Sequence, residues 1–470
     1  MDSHSSFSRR DVLKVGALTV SAQLLPELTE EVSAAAVSSG KADSVIYLWM
    51  GGGVPHLDSF DPKPDAPESI RGTLTDIATN VPGIRFNETC PNLAKMTDEL
   101  AVLRTYSHDS NDHLVSQVYT LCGRKPANRA QFFSEPNIGA VVSYLQGPRN
   151  GLPGYIAVPG ITRPGPPPHA LFVGGWLGNQ YAPFCVGGQP DNPDFTTGKV
   201  SDNPSPLAEE DLNPKELRFL EDLSGTRLSR RSKLRERLES FLQTAEQRQE
   251  FDTLEGNYKS ALDLLLSEKV RGAFDIAQEP DAIRDRYGRT KLGGRCLLAR
   301  RLVEAGARFV MVDYGYDHDY GNLWDNHNAS SQNFPHTSEL CKRGYHVAGM
   351  DKAFAGLIGD MRERGLLERT LIVFLTEFGR TPKINANGGR DHWGTCGSLF
   401  FAGAGVKGGQ TIGESDKEGA YPVTRGYSPA DVAATIYHSL GISIEGRLPD
   451  QLGRPHPVLD HGEAILEALA

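Results

Sequence analysis

Histidines and carboxylates gather in four short stretches of this chain. His56, Asp58 and Asp61 follow a run of three glycines; Asp109, Asp112 and His113 lie in "SHDSNDH"; Asp325 and His327 lie in "WDNHN". Glu377, Asp391 and His392 fall in "LIVFLTEFGRTPKINANGGRDHWG", residues 371–394. Imidazole with carboxylate is a donor set for zinc, manganese or iron rather than for a thiolate-seeking ion. Burying so many carboxylates together is prohibitive unless cations compensate them. One or two divalent metal ions are therefore expected, with zinc, manganese, iron and calcium all open. A pair of such ions can bind a phosphate-like oxyanion, activate a nucleophile and stabilise a leaving oxygen. Taken singly, each stretch reads as a hydrogen-bonded surface pair. Only convergence gives them joint meaning.

Convergence requires a scaffold, and the apolar runs supply one. "SVIYLWM" (44–50), "LAVLRTY" (100–106), "ARFVMVDYG" (307–315), "LIVFL" (371–375) and "SLFFAGAGV" (398–406) read as strands covered on both faces. Helices are expected over 113–121, stopped by Gly123; over 338–368 as one long element; and after Ser428, with Pro429 at the first helical position. Alternating strands and helices predict an α/β fold: a doubly wound, mostly parallel sheet with helices on both faces. Each ionisable stretch then follows a strand, where open α/β sheets bind ligands. Residues 147–214, rich in Pro and Gly, read as a surface excursion, and 215–305 as a helical insertion whose Arg/Glu runs are solvated faces.

The N-terminus has the form of a twin-arginine export signal. Ser8-Arg9-Arg10-Asp11-Val12-Leu13-Lys14 precedes a short apolar run, and Ala34-Ala35-Ala36 offers an A-x-A cleavage site. Residues 1–36 are thus expected to be a signal peptide recognised by the twin-arginine machinery, delivering a periplasmic or extracellular protein. The apolar run is too short to span a bilayer, so no stable membrane insertion is expected after processing. With 49 Lys and Arg against 59 Asp and Glu, the basic face that nucleic acid would need is not expected. The six cysteines are scattered without a CxxC pair, which disfavours a structural zinc site.

"LWMGGGVPHLDSFDPKPDAP", "LCGRKP", "WDNHN" and "TEFGRTPKINANGGRDHW" resemble motifs of the DUF1501 family of exported proteins, within the alkaline phosphatase/sulfatase-like superfamily. The resemblance covers about 44–460 and implies one alkaline phosphatase-like domain holding the excursion and the helical insertion. "VYTLCGRKP" is similar to the helix end that lies just downstream of the nucleophile in sulfatases, and "SPADVAATIYHSLGI" to their late helix. The resemblance implies that Asp325, His327, Glu377, Asp391 and His392 are metal ligands, with His56 and Asp58 completing the site. Two departures stand out. The superfamily's metal-binding Asp after the first strand is replaced by Gly51-Gly52-Gly53, and no Cys-x-Pro-x-Arg or Ser-x-Pro-x-Arg precedes "LCGRKP". A formylglycine sulfatase is therefore not expected.

For catalysis, Ser110 stands at the expected helix N-terminus, where free N–H groups favour an oxyanion; as a plain alternative it caps the helix. His113 is an acid/base or ligand candidate, and Arg380 is placed to grip an anion or to pair with Glu377. The expected activity is hydrolysis or transfer of phosphate or sulfate esters, the substrate being an anionic small molecule or a polysaccharide ester. The alternative is an inactive anion- or polysaccharide-binding protein on the same fold.

Overall fold

The computed structural model describes residues 38–132, 134–160, 173–186, 267–317, 319–328 and 334–470, together with Leu212 and Gln332. The export signal, most of the Pro/Gly-rich stretch and most of the helical insertion lie outside the described residues.

Ten strands matter for the site: β1 (Ser44–Trp49), β2 (Leu100–Tyr106), β3 (Tyr155–Val158), β4 (Phe184–Cys185), β5 (Phe309–Asp313), β6 (Thr370–Leu375), β7 (Gly379–Arg380), β8 (His392–Trp393), β9 (Gly397–Ala402) and β10 (Gln410–Ile412). Eight form one sheet in the order β10-β2-β9-β6-β1-β5-β3-β4. β1 pairs in parallel with both β5 and β6, as do β3 with β5 and β2 with β10. Only β9 runs antiparallel, between β2 and β6. β7 and β8 form a separate two-stranded hairpin.

The central strands carry apolar side chains on both faces because the sheet has a core on each face. Along β1, Ile46 and Leu48 enter one core while Val45, Tyr47 and Trp49 enter the other; β6 divides likewise, Ile372 and Phe374 against Leu371, Val373 and Leu375. That is the two-residue side-chain period applied to a sheet with no wet face. Helices α3 (Lys291–Ala305) and α4 (Val347–Glu363) cover the first core, and α1 (His113–Cys122), α2 (Ile138–Gln146) and α5 (Pro429–Ser439) the second. Phe374 meets Phe60, Phe354 and Phe400 at ring-centroid distances of 5.6, 5.6 and 5.3 Å. Truncating such a ring to alanine costs about 3–5 kcal/mol.

Local sequence sets the helix ends. Asp112 caps α1 by accepting the Val115 N–H at 2.9 Å, and Gly123 closes it in the left-handed region at φ 70°. Ser428 and Asp431 form a reciprocal capping box on α5, with Pro429 at its first position.

Two elements differ from expectation. The single helix expected within 338–368 is broken: Thr337–Leu340 and α4 are separate, and the turn between them stacks Tyr345 on Tyr320 at 3.8 Å and bonds buried His346 to the Leu323 carbonyl at 3.0 Å. These tertiary contacts outweigh helical propensity. Within the stretch read as an excursion, "YIAV" is a fully buried core strand, β3. Its neighbouring glycines and prolines hide a run too short to stand out.

Candidate metal centre

The loops after β1, β2, β5 and β6 all leave the same edge of the sheet, because these four strands are mutually parallel. Three of them deliver side chains to one point. His113 opens α1, Asp325 and His327 lie in the loop after β5, and His392 sits on β8. Ligating atoms of these four residues all lie within 4.8 Å of one another. At the centre is Asp325 Oδ1, which meets the Nε2 atoms of His113, His327 and His392 at 3.3, 3.0 and 3.0 Å.

The opposite nitrogen of each ring is already engaged. His113 Nδ1 meets Glu377 Oε1, His327 Nδ1 meets Asp391 Oδ1 at 2.9 Å, and His392 Nδ1 meets the Asn111 carbonyl at 2.8 Å. A carbonyl or carboxylate partner requires Nδ1 to carry the hydrogen, so each neutral ring turns an Nε2 lone pair inward. His327 Nε2 and His392 Nε2 then face each other at 2.7 Å. Two lone pairs so close repel unless a proton or a cation lies between them.

The residues fit a divalent ion. A ligand shell of radius about 2.1 Å has edges of about 3.0 Å for octahedral neighbours and about 3.4 Å for tetrahedral ones. The observed separations from Asp325 Oδ1, 3.0–3.3 Å, fall in that range. Histidine ligands held through Nδ1 by carboxylate or carbonyl are the usual outer arrangement of such sites.

Charges follow the same geometry. Burial opposes ionisation of Asp325, but the imidazoles of His113, His327 and His392 set against Oδ1 and the charge of Arg380 outweigh it and hold the carboxyl well below its usual range. Burial would lower His113, yet the carboxylates of Glu377 and Asp325 push it up to about 9. His392 is lowered, chiefly by burial, which with the charges of Arg380 and His113 exceeds the opposing effect of Asp325. Asp391 lies below its usual value because hydrogen bonds from His327 and Asn385 overcome its burial.

Arg380 is at the centre but enclosed. Fully buried, it donates through Nε to the Gly53 carbonyl at 3.0 Å, through Nη1 to that of Arg390 at 3.0 Å, and through Nη2 to the carbonyls of Gly52 and Trp324 and to Asp325 Oδ1, the last at 2.9 Å. A guanidinium spent on four carbonyls and one carboxylate anchors Asp325 and does not reach out to an anion. The glycine run after β1 serves this anchor. Gly53 has φ 98°, and a Cβ there would stand 2.8 Å from Arg380 Nε and 2.7 Å from the Phe378 ring. Only glycine lets the backbone approach.

The remaining expected residues stand apart from the cluster. Asp58 is buried in a two-pronged pair with Arg390, at 2.9 and 2.7 Å. His56 is buried and bonds the Gly419 carbonyl at 2.8 Å. Asp61 faces Lys63 and Arg104. Glu377 holds His113 from behind rather than joining the four converging groups. The Ser110 hydroxyl accepts the Asp112 N–H at 3.2 Å, beside the start of α1.

Sequence reasoning missed three contributors. Asn111 gives its carbonyl to His392 and its side-chain oxygen to the Gly394 N–H at 2.6 Å. Asn385 donates to Asp391 Oδ1 at 3.1 Å and to the His327 carbonyl at 2.9 Å. His108 accepts the Ser110 N–H through Nδ1, so its Nε2–H donates to the Glu377 carbonyl at 2.6 Å. Asn111 and His108 stand in "SHDSNDH" beside His113, which was the available signal; Asn385 offered none.

A family model described as "Protein of unknown function (DUF1501)" matches residues 42–469. None of the curated proteins matches the chain by sequence. Among solved structures, a phosphonate monoester hydrolase of Agrobacterium radiobacter is similar at 12% identity and TM-score 0.35, covering 91% of this chain and 77% of its own. The C-terminal periplasmic domain of EcEptC from Escherichia coli, in complex with Zn, is similar at 11% identity and TM-score 0.36, covering 88% and 86%. The PsFucS1 sulfatase from Pseudoalteromonas sp. is similar at 14% identity and TM-score 0.33, covering 93% and 72%.

Proposed function

The chain belongs to the DUF1501 family, and from that premise we propose an exported metal-dependent hydrolase or transferase acting on phosphate or sulfate esters. The observation that carries this reading is the meeting of three inward-turned imidazoles and one carboxylate at a single point. His113, Asp325, His327 and His392 would hold one divalent ion, and the donor set suits zinc, manganese or iron. Such an ion supplies Lewis acidity toward a phosphoryl or sulfuryl oxygen.

The chain's own groups supply order around it. Glu377, Asp391 and the Asn111 carbonyl fix the three rings, and Arg380 fixes the carboxylate. The nucleophile is Ser110 or a water at the centre. Ser110 would first release the Asp112 N–H.

The test is metal content and turnover of the purified full-length protein. One equivalent of a transition metal is expected, with hydrolysis of 4-nitrophenyl phosphate or 4-nitrophenyl sulfate. His327→Ala and His392→Ala should each lose most of the metal and the activity. Full occupancy in both variants would refute the ligand assignment. Export is read separately: Arg9→Lys with Arg10→Lys should retain the protein in the cytoplasm.

The second reading is a non-catalytic protein holding an anionic polysaccharide. Its support is the enclosure of Arg380 by carbonyls and the engagement of the Ser110 hydroxyl at the helix start. Metal-loaded protein that binds such a polysaccharide but is inert toward both esters would favour it.

A further inference from the structure

His108 lies at the base of the turn that joins β2 to α1, buried beneath Asp109, Asn111 and Asp112, which are exposed. Its two ring nitrogens bond in different directions. Nδ1 accepts the Ser110 N–H at 3.2 Å within the turn, and Nε2–H donates to the Glu377 carbonyl at 2.6 Å, just past the end of β6. A backbone N–H can only donate, so Nδ1 must carry the lone pair and Nε2 the hydrogen. Burial, which lowers the pKa of His108, keeps the ring in that neutral form.

Each of these bonds ends one step from a metal-binding ring. The Glu377 side chain holds His113 Nδ1. Asn111, the residue after Ser110, takes His392 Nδ1–H on its carbonyl at 2.8 Å. The two rings so held stand 4.2 Å apart between centroids. His108 therefore ties together the partners of two ligands that come from distant parts of the chain.

The turn is also fixed from the β8 side. The His108 N–H donates to the Gly394 carbonyl at 2.8 Å, and the Gly394 N–H donates to Asn111 Oδ1 at 2.6 Å. A Cβ on Gly394 would collide with the Ser110 carbonyl oxygen and stand 2.8 Å from that of His108, so only glycine lets the turn lie this close.

We propose that His108 is a positioning residue of the metal centre: it clamps the backbone of Glu377 to the Ser110–Asn111 turn and so sets the partners of His113 and His392 in one frame. A turn of short polar residues has many conformations of its own. If it were ordered only as the ion arrived, the lost freedom would oppose binding; the clamp orders it beforehand. This inference rests on the metal-centre reading above.

The test is chelator competition for Zn²⁺ and Co²⁺ on the full-length protein, with the visible d–d bands of the Co²⁺ form as a second readout. Asn puts its Oδ1 near the place of His Nδ1, and Gln puts its Nε2 near that of His Nε2. His108→Asn thus keeps the acceptor for Ser110 and loses the bond to Glu377, whereas His108→Gln does the reverse. Each should weaken metal binding about tenfold, the low end for loss of an outer partner, and shift the Co²⁺ bands. His108→Ala, which loses both bonds, should weaken binding further. Tyr119→Phe is the control. Its ring packs near His108 at 6.1 Å between centroids and its hydroxyl bonds His461 at 3.2 Å, so it removes a neighbouring hydrogen bond outside the clamp. Its affinity and bands should stay as in the wild type. Lowered melting temperatures with unchanged affinity and bands in the His108 variants would make the residue merely structural and overturn the clamp. Wild-type affinity in either His108→Asn or His108→Gln overturns it too, and in both cases the metal centre stands. Wild-type protein that binds neither ion overturns the centre and the clamp together. If the His108 variants do not fold, Gly394→Ala displaces the same turn from the β8 side; it should show the same weakening and band shift, and wild-type affinity there overturns the clamp.

Discussion

His113 stands between two carboxylates, Glu377 at Nδ1 and Asp325 at Nε2, and without a metal these hold a proton on it up to about pH 9. A divalent ion at the centre must take the Nε2 lone pair, so binding expels that proton. From pH 6.5 to 8.5 the logarithm of the association constant should therefore rise by about one per pH unit, tenfold per unit, from this residue alone. The sign for the metal-free fold is the reverse. A group raised from 6.5 to about 9 contributes stability that is complete below pH 6.5 and lost as pH rises through 9. The assay is competition with a chromophoric zinc chelator, corrected for the chelator's own titration, on wild type and His113→Gln. The variant should bind more weakly and with a slope smaller by about one. A wild-type affinity flat between pH 7 and 8.5, or an unchanged slope in His113→Gln, would refute the assignment of His113 as a proton-releasing ligand.

Asp391→Ala removes the acceptor that turns His327 and should weaken metal binding about 10–100-fold with little change in melting temperature, measured by the same competition and by calorimetry. Asp58→Ala leaves the Arg390 charge buried and should cost about 3–5 kcal/mol in urea unfolding, while the folded protein keeps its metal. Gly53→Ala forces a side chain against Arg380 and Phe378 at a positive φ; about 2–4 kcal/mol of stability should go, with weakened metal binding as Asp325 loses its anchor.

Much of the scaffold was legible in the chain. β1, β2, β5 and β6 are predominantly apolar runs because the sheet is buried on both faces, and local chemistry marked the ends of α1 and α5. β3 was not legible, since four residues between glycines and prolines carry too little pattern. Nor was the break before α4, which depends on what His346 and Tyr345 meet in the fold.

The donor types that meet at the centre were also set by sequence: a carboxylate and imidazoles, each following a strand. Which of them would meet was decided only in three dimensions. Asp58 and Asp325 look alike along the chain, yet one faces Arg390 and the other faces three histidines. Arg380 reads as an anion grip and becomes a buried anchor, because the glycines after β1 bring carbonyls within its reach. A side chain's chemistry is fixed by its atoms, but its task is set by the charge and hydrogen-bonding partners that distant parts of the chain place against it.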